Sequence, residues 1–317
     1  MEVQSGRSTE NKKGRLSDSG YHRGIKITNP DKILYPEQGA TKRRLARFYE
    51  KISEYILPFV IKRPLTLVRC PDGRAEKCFY QKHINETMPD ALRSRKITEK
   101  NKTAEYIFID DIKGLLSLIQ TGVLEIHPWG SSERNLEKPD MLTFDLDPGA
   151  GIGWTDIIQG AGIMKEYLDA LGLQSFVKTS GGKGLHIVIP VQRRTGWDEA
   201  KTFTKCIADD LAGKYPDRFT ANMNKAKRKE KIFIDYLRNG RGATTVAAYS
   251  TRARKGAPVS VPLGWDELTA AIRSDAYNID NLAARLSSLK QDPWKDFFTI
   301  RQWITDAMKK KLQESDD

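Results

Sequence analysis

Residues 141–149 read Met141-Leu-Thr-Phe-Asp-Leu-Asp-Pro-Gly149, and this stretch decides how the whole chain is interpreted. The pattern is typical of a buried β-strand that ends at a Pro-Gly turn. Because side chains on a strand alternate between its two faces, Asp145 and Asp147 share one face and the large apolar residues share the other. The stems of the two carboxylates lie roughly 6–7 Å apart, a gap that side-chain rotation can close around divalent metals about 3.5–4 Å apart. From this stretch alone, a metal site and a solvated strand end remain equally good interpretations.

The composition predicts a globular protein with an anionic partner. The chain has 317 residues, of which 39% are apolar and 30% are charged, enough to bury a substantial core. Its 53 lysines and arginines against 41 acidic residues give a formal net charge of +12. Such a bias favours a polyanion such as nucleic acid as the partner, although a merely soluble basic protein fits the same numbers.

Hydropathy and cysteine content predict the compartment. No apolar run approaches the ~18 residues that a membrane-spanning helix needs, and the polar N-terminus is unlike a signal peptide. The cysteines, Cys70, Cys78 and Cys206, form no zinc-binding pattern and leave an odd thiol. These observations favour a reducing cytoplasm and no membrane partner.

The chain is predicted to be a polar tail followed by one mixed α/β domain. Residues 1–20 are rich in Gly, Ser, Lys and Arg, which is typical of a disordered tail or linker, and residues 21–317 are predicted to fold as a single unit. Apolar spacing predicts a helix over 41–56 with Thr41 as its N-cap, and a last helix over 296–312.

An aromatic pair lies in a predicted β-hairpin. Residues 64–69 and 76–82 are predicted to be its two strands, joined by a Pro71-Asp72-Gly73 turn. Phe79 and Tyr80 are adjacent and so point to opposite faces, which predicts that one enters the core while the other is exposed. An exposed ring could stack on a nucleic-acid base; ordinary aromatic strand residues are the alternative.

A histidine ends the strand that precedes the Asp145 strand along the chain. Residues 123–129 are predicted to form this strand, with His127 near its end. We expect it to lie beside the Asp145 strand in one sheet, which would bring His127 close to the carboxylates. A structural histidine is the alternative interpretation.

The turn Ser180-Gly-Gly-Lys-Gly184 is a candidate anion-binding site. Three glycines in five residues allow the backbone N–H groups to approach an anion closely, and Lys183 adds a positive charge. His186 follows in a strand on the face opposite the apolar residues. The turn is not a Walker A loop, because G-x-x-x-x-G-K-[ST] is absent, and a plain glycine-rich hairpin is the alternative.

A third carboxylate, Asp235, lies in a β-rich run over residues 231–237 that follows a basic segment over 222–231. Downstream, Arg252 and Arg254 are predicted to lie at the end of a strand, and 259–262 is predicted to be another short strand. Three strand carboxylates, an anion-binding turn and a basic exterior together suggest nucleotidyl transfer. In that reaction, a 3′-hydroxyl attacks an α-phosphate and diphosphate leaves, with divalent metals held by the acids.

The residues of this constellation resemble a known family. Phe-Asp-Leu-Asp at 144–147, Ser-Gly-Gly-Lys-Gly-Leu-His at 180–186 and Ile-Asp at 234–235 are similar, in order and context, to the three motifs of the archaeo-eukaryotic primase superfamily. The resemblance is strongest to the polymerase domain of bacterial DNA ligase D, and it covers most of the chain. It implies an N-terminal α/β unit joined to a β-sheet half like an RNA-recognition motif, with the active site in the cleft between them.

The resemblance implies roles for individual residues. Asp145, Asp147 and Asp235 match the catalytic, metal-binding carboxylates of the family. The nucleotide-binding positions are matched by Ser180, Lys183, His186, Arg252, His127, Phe79 and Tyr80. Lys32 and Lys42 match lysines that grip the 5′-phosphate of a downstream DNA strand.

The resemblance also implies cofactors and partners. Domains of this family use two divalent metal ions, with Mn²⁺ preferred and Mg²⁺ possible, and add ribonucleotides or deoxyribonucleotides to gapped or 3′-overhanging DNA ends during double-strand-break joining. The chain lacks the Lys-x-Asp-Gly motif of the ligase nucleophile, since the comparable string Cys-Pro-Asp-Gly at 70–73 has no lysine. Ligase and nuclease domains of the same polypeptide and a Ku-type end-binding protein are therefore expected as partners, in the bacterial nucleoid.

Two other classes of function remain alternatives. One is a non-catalytic module that bridges DNA ends through its basic surface, although such a module needs no set of three strand carboxylates. The other is a metal nuclease that uses the same acids to activate water, although the glycine-rich turn favours a triphosphate.

Overall fold

Two β-sheets organise the protein, each covered by helices and each with its own hydrophobic core. The computed structural model describes residues 21–99 and 102–314, so the predicted tail over 1–20 lies outside the described residues. The strands are β1 (Tyr21–His22), β2 (Ile25–Lys26), β3 (Ile33–Tyr35), β4 (Ala40–Thr41), β5 (Leu65–Arg69), β6 (Phe79–Gln81), β7 (Arg93–Glu99), β8 (Lys102–Phe108), β9 (Val123–Pro128), β10 (Met141–Pro148), β11 (Phe176–Thr179), β12 (Leu185–Pro190), β13 (Phe219–Thr220), β14 (Ile232–Asp235) and β15 (Pro262–Leu263). The α-helices are α1 (Lys42–Lys51), α2 (Ser53–Val60), α3 (Ile112–Gln120), α4 (Trp154–Ala170), α5 (Trp197–Lys214), α6 (Leu282–Ser288) and α7 (Asp306–Gln313).

The first sheet belongs to the N-terminal half. Its strands run in the order β6-β5-β8-β7, with β9 also paired to β5, and the pairs are antiparallel. The apolar stripes of α1, α2 and α3 pack into the core of this half, which contains fully buried residues such as Leu45, Tyr49 and Leu115. Burial of these stripes, rather than helix propensity alone, stabilises the three helices.

The second sheet contains the carboxylate strand at an interior position. Its order is β13-β14-β10-β12-β11-β15, antiparallel except for the β13–β14 pair. Leu142, Phe144 and Leu146 of β10 are buried against α4 and α5, as the alternation of the sequence predicts. The opposite face of β10 is thereby left to carry Asp145 and Asp147 toward the first half.

The predicted helix over 41–56 begins as expected but is two helices. Thr41 caps α1, because its hydroxyl accepts a hydrogen bond from the backbone N–H of Arg44 at 3.2 Å. Ile52 leaves helical geometry with φ −102° and ψ 12°, and α2 starts at the next residue. The apolar stripe runs on across this break, so spacing alone did not reveal it.

Several other predicted elements were wrong in extent. Arg252 and Arg254 do not end a strand. Residues 244–254, all of them described, form only turns and isolated bridges. The predicted strand over 259–262 is instead β15, Pro262–Leu263, and the last helix covers only Asp306–Gln313. The segment over 244–254 takes its conformation from hydrogen bonds to distant residues, such as that from the backbone N–H of Thr251 to the Tyr49 hydroxyl at 2.9 Å.

A disulfide closes the connection of the β5–β6 hairpin. Cys70 and Cys78 are bonded, with a sequence separation of 8, and Cys206 is the remaining free thiol. The spacing of the cysteines did not predict this pair. None of the described helices is both long enough and apolar enough to cross a membrane.

Candidate active site

A cavity of about 1300 Å³ lies between the two sheets. Strands of the first sheet contribute Phe79, Tyr80 and His127 to its wall, while the second sheet contributes Asp145, Asp147 and His186. Ser180, Lys183 and Arg252 line the same cavity. Nine of the residues predicted as catalytic or nucleotide-binding therefore line one cavity. The tenth, Asp235, lies opposite Asp145 on the neighbouring strand β14.

A row of charged and polar residues crosses four adjacent strands of the second sheet. The strand registers place Lys178 opposite His186, His186 opposite Asp145, and Asp145 opposite Asp235. All four are buried. Residues opposite each other in neighbouring strands lie on the same face of the sheet, so the register alone brings the row together.

Arg238 lies between two of the carboxylates. Its Nε is 3.0 Å from Oδ2 of Asp235 and 3.8 Å from Oδ2 of Asp145. It follows Asp235 by three residues, in a short 3-10 helix over Leu237–Asn239. As the side chains stand, no group of three or more His, Cys, Asp or Glu residues in the described part of the chain is arranged to hold a metal ion. The guanidinium instead supplies positive charge between these two acids.

The three carboxylates differ in their electrostatic surroundings. Burial and, after it, repulsion from Asp145 and Asp235 together raise the pKa of Asp147 to about 6. Burial also raises the pKa of Asp235, against the attraction of Arg238. Burial alone would raise the pKa of Asp145, but the attraction of His186 and Arg238 outweighs it and lowers the pKa to about 2. The single positive charge of Arg238 is therefore too little to neutralise the three carboxylates.

Lys178 fixes the protonation of His186 from behind. Its ammonium group donates to Nδ1 of His186 at 3.0 Å, to Oγ of Ser260 at 2.7 Å and to the Val246 carbonyl at 3.0 Å. Burial lowers the pKa of Lys178 to about 7, and burial lowers that of His186 to about 4. A neutral His186 that accepts at Nδ1 must carry its proton on Nε2, which lies 3.3 Å from Oδ1 of Asp145.

A buried glutamate, Glu125, organises the wall that faces the carboxylates. Its Oε2 accepts from Nε2 of His127 at 2.8 Å and from Nε of Arg252 at 3.0 Å, and its Oε1 accepts from the N–H of Ala253 at 2.8 Å. Burial alone would raise the pKa of Glu125, but these partners lower it to about 2. The ionised glutamate thus ties His127 to Arg252.

His127 reaches the cavity from a different sheet than predicted. Its strand β9 pairs with β5, with His127 opposite Thr66, and not with the Asp145 strand. The prediction that β9 and β10 are sheet neighbours was therefore wrong. His127 still faces the carboxylates because the cavity lies between the two sheets.

The glycine-rich turn packs tightly on the carboxylate strand. A Cβ on Gly184 would lie 2.1 Å from the Leu146 carbonyl oxygen, and Gly181 has φ +63°. Both positions therefore require glycine. Oγ of Ser180 accepts from the N–H groups of Gly182 and Gly184, each at 3.2 Å, and so holds the turn together from inside. Lys183 is the exposed residue of the turn and lines the cavity.

Both rings of the aromatic pair are exposed at the cavity mouth. Phe79 is 40% exposed and Tyr80 is 76% exposed. The prediction that one of them enters the core was wrong, because β6 is a short edge strand of the first sheet and neither of its faces is covered at these residues. The Arg69 guanidinium lies 5.4 Å from the centre of the Phe79 ring, which restricts that ring more than Tyr80.

The two lysines predicted to bind a 5′-phosphate lie outside this cavity. Nζ of Lys32 is 2.6 Å from Oδ1 of Asp72, in the loop that the disulfide closes. Lys42 is only 6% exposed and donates to the Gln120 carbonyl at 3.1 Å. Burial lowers the pKa of Lys42, and the nearby charge of Lys32 lowers it further. The two residues are neighbours in the fold, because the backbone N–H of Lys42 donates to the Lys32 carbonyl at 2.8 Å.

Three residues of the site were missed in the sequence. Glu125 precedes His127 by two positions and so shares its strand face; that alternation could have identified it. Arg238 follows Asp235 by three positions, but its direction depends on a turn that the sequence does not reveal. Nothing in the sequence pointed to Lys178, because its contact with His186 depends on how β11 and β12 pair.

An antiparallel sheet that carries three acids on one face, beside a glycine-rich turn and below an exposed aromatic pair, defines a primase-like nucleotidyltransferase. The model of the LigD primase-polymerase domain matches residues 41–294 of the chain. The chain belongs to this family.

Similar proteins agree with the assignment. The chain is 39% identical over 290 residues to the multifunctional non-homologous end joining protein LigD of Pseudomonas aeruginosa, covering 91% of the chain and 34% of that protein. It is 30% identical over 280 residues to the bifunctional non-homologous end joining protein LigD of Bacillus subtilis, covering 87% and 44%. The chain thus spans less than half the length of these curated relatives. The polymerase domain of Mycobacterium tuberculosis ligase D, solved in complex with DNA, superposes with a TM-score of 0.81 at 31% identity, covering 87% of this chain and 98% of that one.

Proposed function

We propose that residues 21–317 form one catalytic domain that adds nucleotides to DNA 3′ ends during double-strand-break joining. The observation that carries this proposal is the convergence of Asp145, Asp147 and the turn over 180–184 on one cavity. A polymerase needs acids for metal ions and an anion site for the triphosphate within reach of each other. The relative solved in complex with DNA supports DNA as the second substrate.

The carboxylates are the proposed metal ligands. Asp145, Asp147 and Asp235 offer the oxygen donors that Mg²⁺ and Mn²⁺ favour. Burial and repulsion from the other two acids both raise the pKa of Asp147, and a bound cation would offset both effects. These residues therefore fit a pair of divalent cations, with Mn²⁺ proposed as the preferred ion. When bound, such ions activate the attacking 3′-hydroxyl and stabilise the charge on the phosphates. Arg238 must withdraw from between the acids to make room for them.

The remaining residues of the cavity are proposed to hold the incoming nucleotide. Lys183 and Arg252 bring positive charge to a triphosphate at the glycine-rich turn, with Ser180 fixing the shape of that turn. His186 orients Asp145, and His127, held by Glu125, faces the nucleotide from the opposite wall. The exposed faces of Phe79 and Tyr80 provide platforms for stacking with bases.

Further partners are proposed from the family. Lys32 and Lys42 are proposed to bind the 5′-phosphate at the far side of a gap, since two neighbouring cations suit a dianionic phosphate. The ligase and nuclease activities, a Ku-type partner and a cytoplasmic location at the nucleoid are proposed by analogy with the longer LigD relatives, of which this chain matches 34% and 44%.

Substitution of the acids tests the catalytic proposal. Asp145→Ala and Asp147→Ala should each abolish nucleotide addition to a gapped duplex while leaving DNA affinity within about twofold. Carboxylates repel the phosphates of DNA, so their removal takes away no attractive contact with it. Asp209→Ala on the outer surface of α5 is the matched control and should retain full activity.

The outcomes separate the alternatives. Unchanged addition by both acid variants would contradict the proposal. Intact DNA binding without addition by any variant, wild type included, would favour the end-bridging module. DNA shortening with metal and no nucleotide would favour the nuclease.

The 5′-phosphate proposal has its own test. Lys32→Ala or Lys42→Ala should reduce the preference for gaps with a 5′-phosphate over gaps with a 5′-hydroxyl, measured as the ratio of DNA dissociation constants. An equal loss on both substrates would contradict it.

The affinity of wild type for DNA should fall steeply between low and moderate salt, because binding releases counterions.

A further inference from the structure

A second cavity adjoins the active-site cavity behind the glycine-rich turn. Its volume is about 640 Å³. The two cavities have five lining residues in common, which form the wall between them: Pro148, Gly182, Lys183, Ala253 and Arg254. The turn proposed to hold the triphosphate is therefore accessible from two sides, and only one of those sides faces the aromatic pair and the carboxylates.

The lining of this second cavity is strongly cationic. It has one carboxylate, Asp275, against five cationic side chains: Arg74, Lys183, Arg254, Lys255 and Arg273. Arg74 forms an ion pair with Glu37, and Nε of Arg273 is 3.9 Å from Oδ1 of Asp275. Within the described residues, Lys183, Arg254 and Lys255 form no salt bridge with a carboxylate. Such a concentration of uncompensated charge favours a small, highly charged anion.

Two arginines continue this positive charge from one cavity to the other. Cγ of Arg252 lies 2.8 Å from the position that a Cβ on Gly181 would take, and Cζ of Arg254 lies 3.4 Å from that of Gly182. Arg252 lines the active-site cavity, where Glu125 holds it, and Arg254 lines both cavities. The positive charge along the turn is therefore continuous from one cavity to the other.

We propose that the second cavity receives the diphosphate that nucleotidyl transfer releases. This inference rests on the proposed function. In that reaction the primer 3′-oxygen forms a bond to the α-phosphorus, and the bond between that phosphorus and the α–β bridging oxygen breaks. The bridging oxygen leaves with its electron pair on diphosphate, and the hydroxyl proton is released to solvent. Diphosphate is then the small polyanion at the turn, and the second cavity offers it an exit that does not require DNA to dissociate.

The lining distinguishes diphosphate from DNA as the occupant. Phe79, Tyr80 and the basic residues Lys225 and Lys229 line only the active-site cavity. The aromatic residue of the second cavity, Trp154, uses its indole N–H to bond the Ile272 carbonyl at 2.6 Å. Cations without an exposed stacking platform suit an inorganic anion better than a nucleic-acid strand.

Inhibition by added inorganic diphosphate tests the proposal. The double variant Lys255→Ala/Arg273→Ala removes two cations that line only the second cavity. Its inhibition constant for diphosphate in steady-state primer extension should rise about five- to tenfold, while the single-turnover rate of nucleotide addition stays at the wild-type value. Lys51→Ala/Lys295→Ala is the control for loss of charge, since both lysines are exposed and line neither cavity, and it should behave as wild type.

Each other outcome is informative. An inhibition constant equal to that of wild type overturns the proposal. A loss of affinity for gapped DNA, with unchanged inhibition by diphosphate, also overturns it and assigns the cavity to DNA. If wild type adds no nucleotide, the proposed function fails. Direct binding of radiolabelled diphosphate to wild type and to the double variant then tests on its own whether the second cavity binds diphosphate. Equal binding by the two proteins overturns the proposal.

Discussion

Replacement of Glu125 by glutamine tests how the active-site wall is held together. The substitution keeps the size of the side chain but removes its negative charge, which accepts hydrogen bonds from His127, Arg252 and the Ala253 N–H. Arg252 then keeps a mostly buried guanidinium without a carboxylate partner. A buried charge left without its partner strongly destabilises the folded state.

The pKa of Glu125 gives the size of its contribution to the free energy of unfolding. Its pKa falls from the ordinary 4.5 to about 2 in the folded protein. At about 1.4 kcal/mol per unit, the ionised form contributes about 3 kcal/mol to stability at pH 7. Because the folded pKa is the lower one, this contribution is complete above the unfolded pKa and is lost as the pH falls toward 2. At pH 3 it should be roughly 1.5 kcal/mol.

Urea denaturation at pH 7 and at pH 3 measures this contribution as the difference in free energy of unfolding between wild type and Glu125→Gln. Comparing two proteins at each pH cancels the titration of the groups that they share. Glu137→Gln is the matched control, because Glu137 also pairs with an arginine, at 2.8 Å, but is exposed, and it should cost less than about 1 kcal/mol. A difference for Glu125→Gln that stays constant between the two pH values, or that is no larger than the control, would refute the reasoning.

Three further substitutions test the packing around the site. Gly184→Ala should lower the free energy of unfolding by about 1–3 kcal/mol and reduce nucleotide addition, whereas Gly162→Ala, in open space on α4, should raise stability by up to about 1 kcal/mol; chemical denaturation compares them, and equal effects would contradict the close contact. Asp140→Asn should cost about 3–5 kcal/mol, because its carboxylate, only 10% exposed, accepts hydrogen bonds at 2.6 Å from Arg193 and from the buried Arg63; a loss under about 1 kcal/mol would contradict this. Cys78→Ser should lower stability by about 2–3 kcal/mol under oxidising conditions only, and a difference that persists in excess reductant would contradict a role for the disulfide.

The sequence was sufficient for the elements that carry the chemistry. Period-two alternation correctly placed Asp145 and Asp147 on one face of β10 and the apolar residues on the other. The strand that carries His186 after the glycine-rich turn was also predicted, and it is β12. These elements are long and regular, so local patterning decides them.

The sequence was not sufficient where distant contacts decide the structure. The row from Lys178 to Asp235 depends on the pairing of four strands that are separated in sequence, and the contacts of Glu125 with Arg252 and Ala253 span more than 120 residues. The position of His127 was predicted in the wrong sheet for the same reason. Local patterns specify the face of a strand but not its neighbour.

The exposure of the aromatic pair and the disulfide were missed for different reasons. Opposite directions of Phe79 and Tyr80 imply one buried ring only if the strand is covered on a face, and β6 is a short edge strand with neither face covered at these residues. The cysteines pair because β5 and β6 bring Cys70 and Cys78 together at the same end of the hairpin. Neither fact is local to the residues concerned.

Primer extension on a gapped DNA duplex with a 5′-phosphate is the most direct test of the proposed activity. It is measured for the purified chain with Mn²⁺ or Mg²⁺ and with ribonucleotides or deoxyribonucleotides. We expect the primer to lengthen by the nucleotides that fill the gap, faster with Mn²⁺, with one diphosphate released for each nucleotide added. A primer that stays at its original length under every condition, although the DNA is bound, would contradict a polymerase site at Asp145, Asp147 and Asp235.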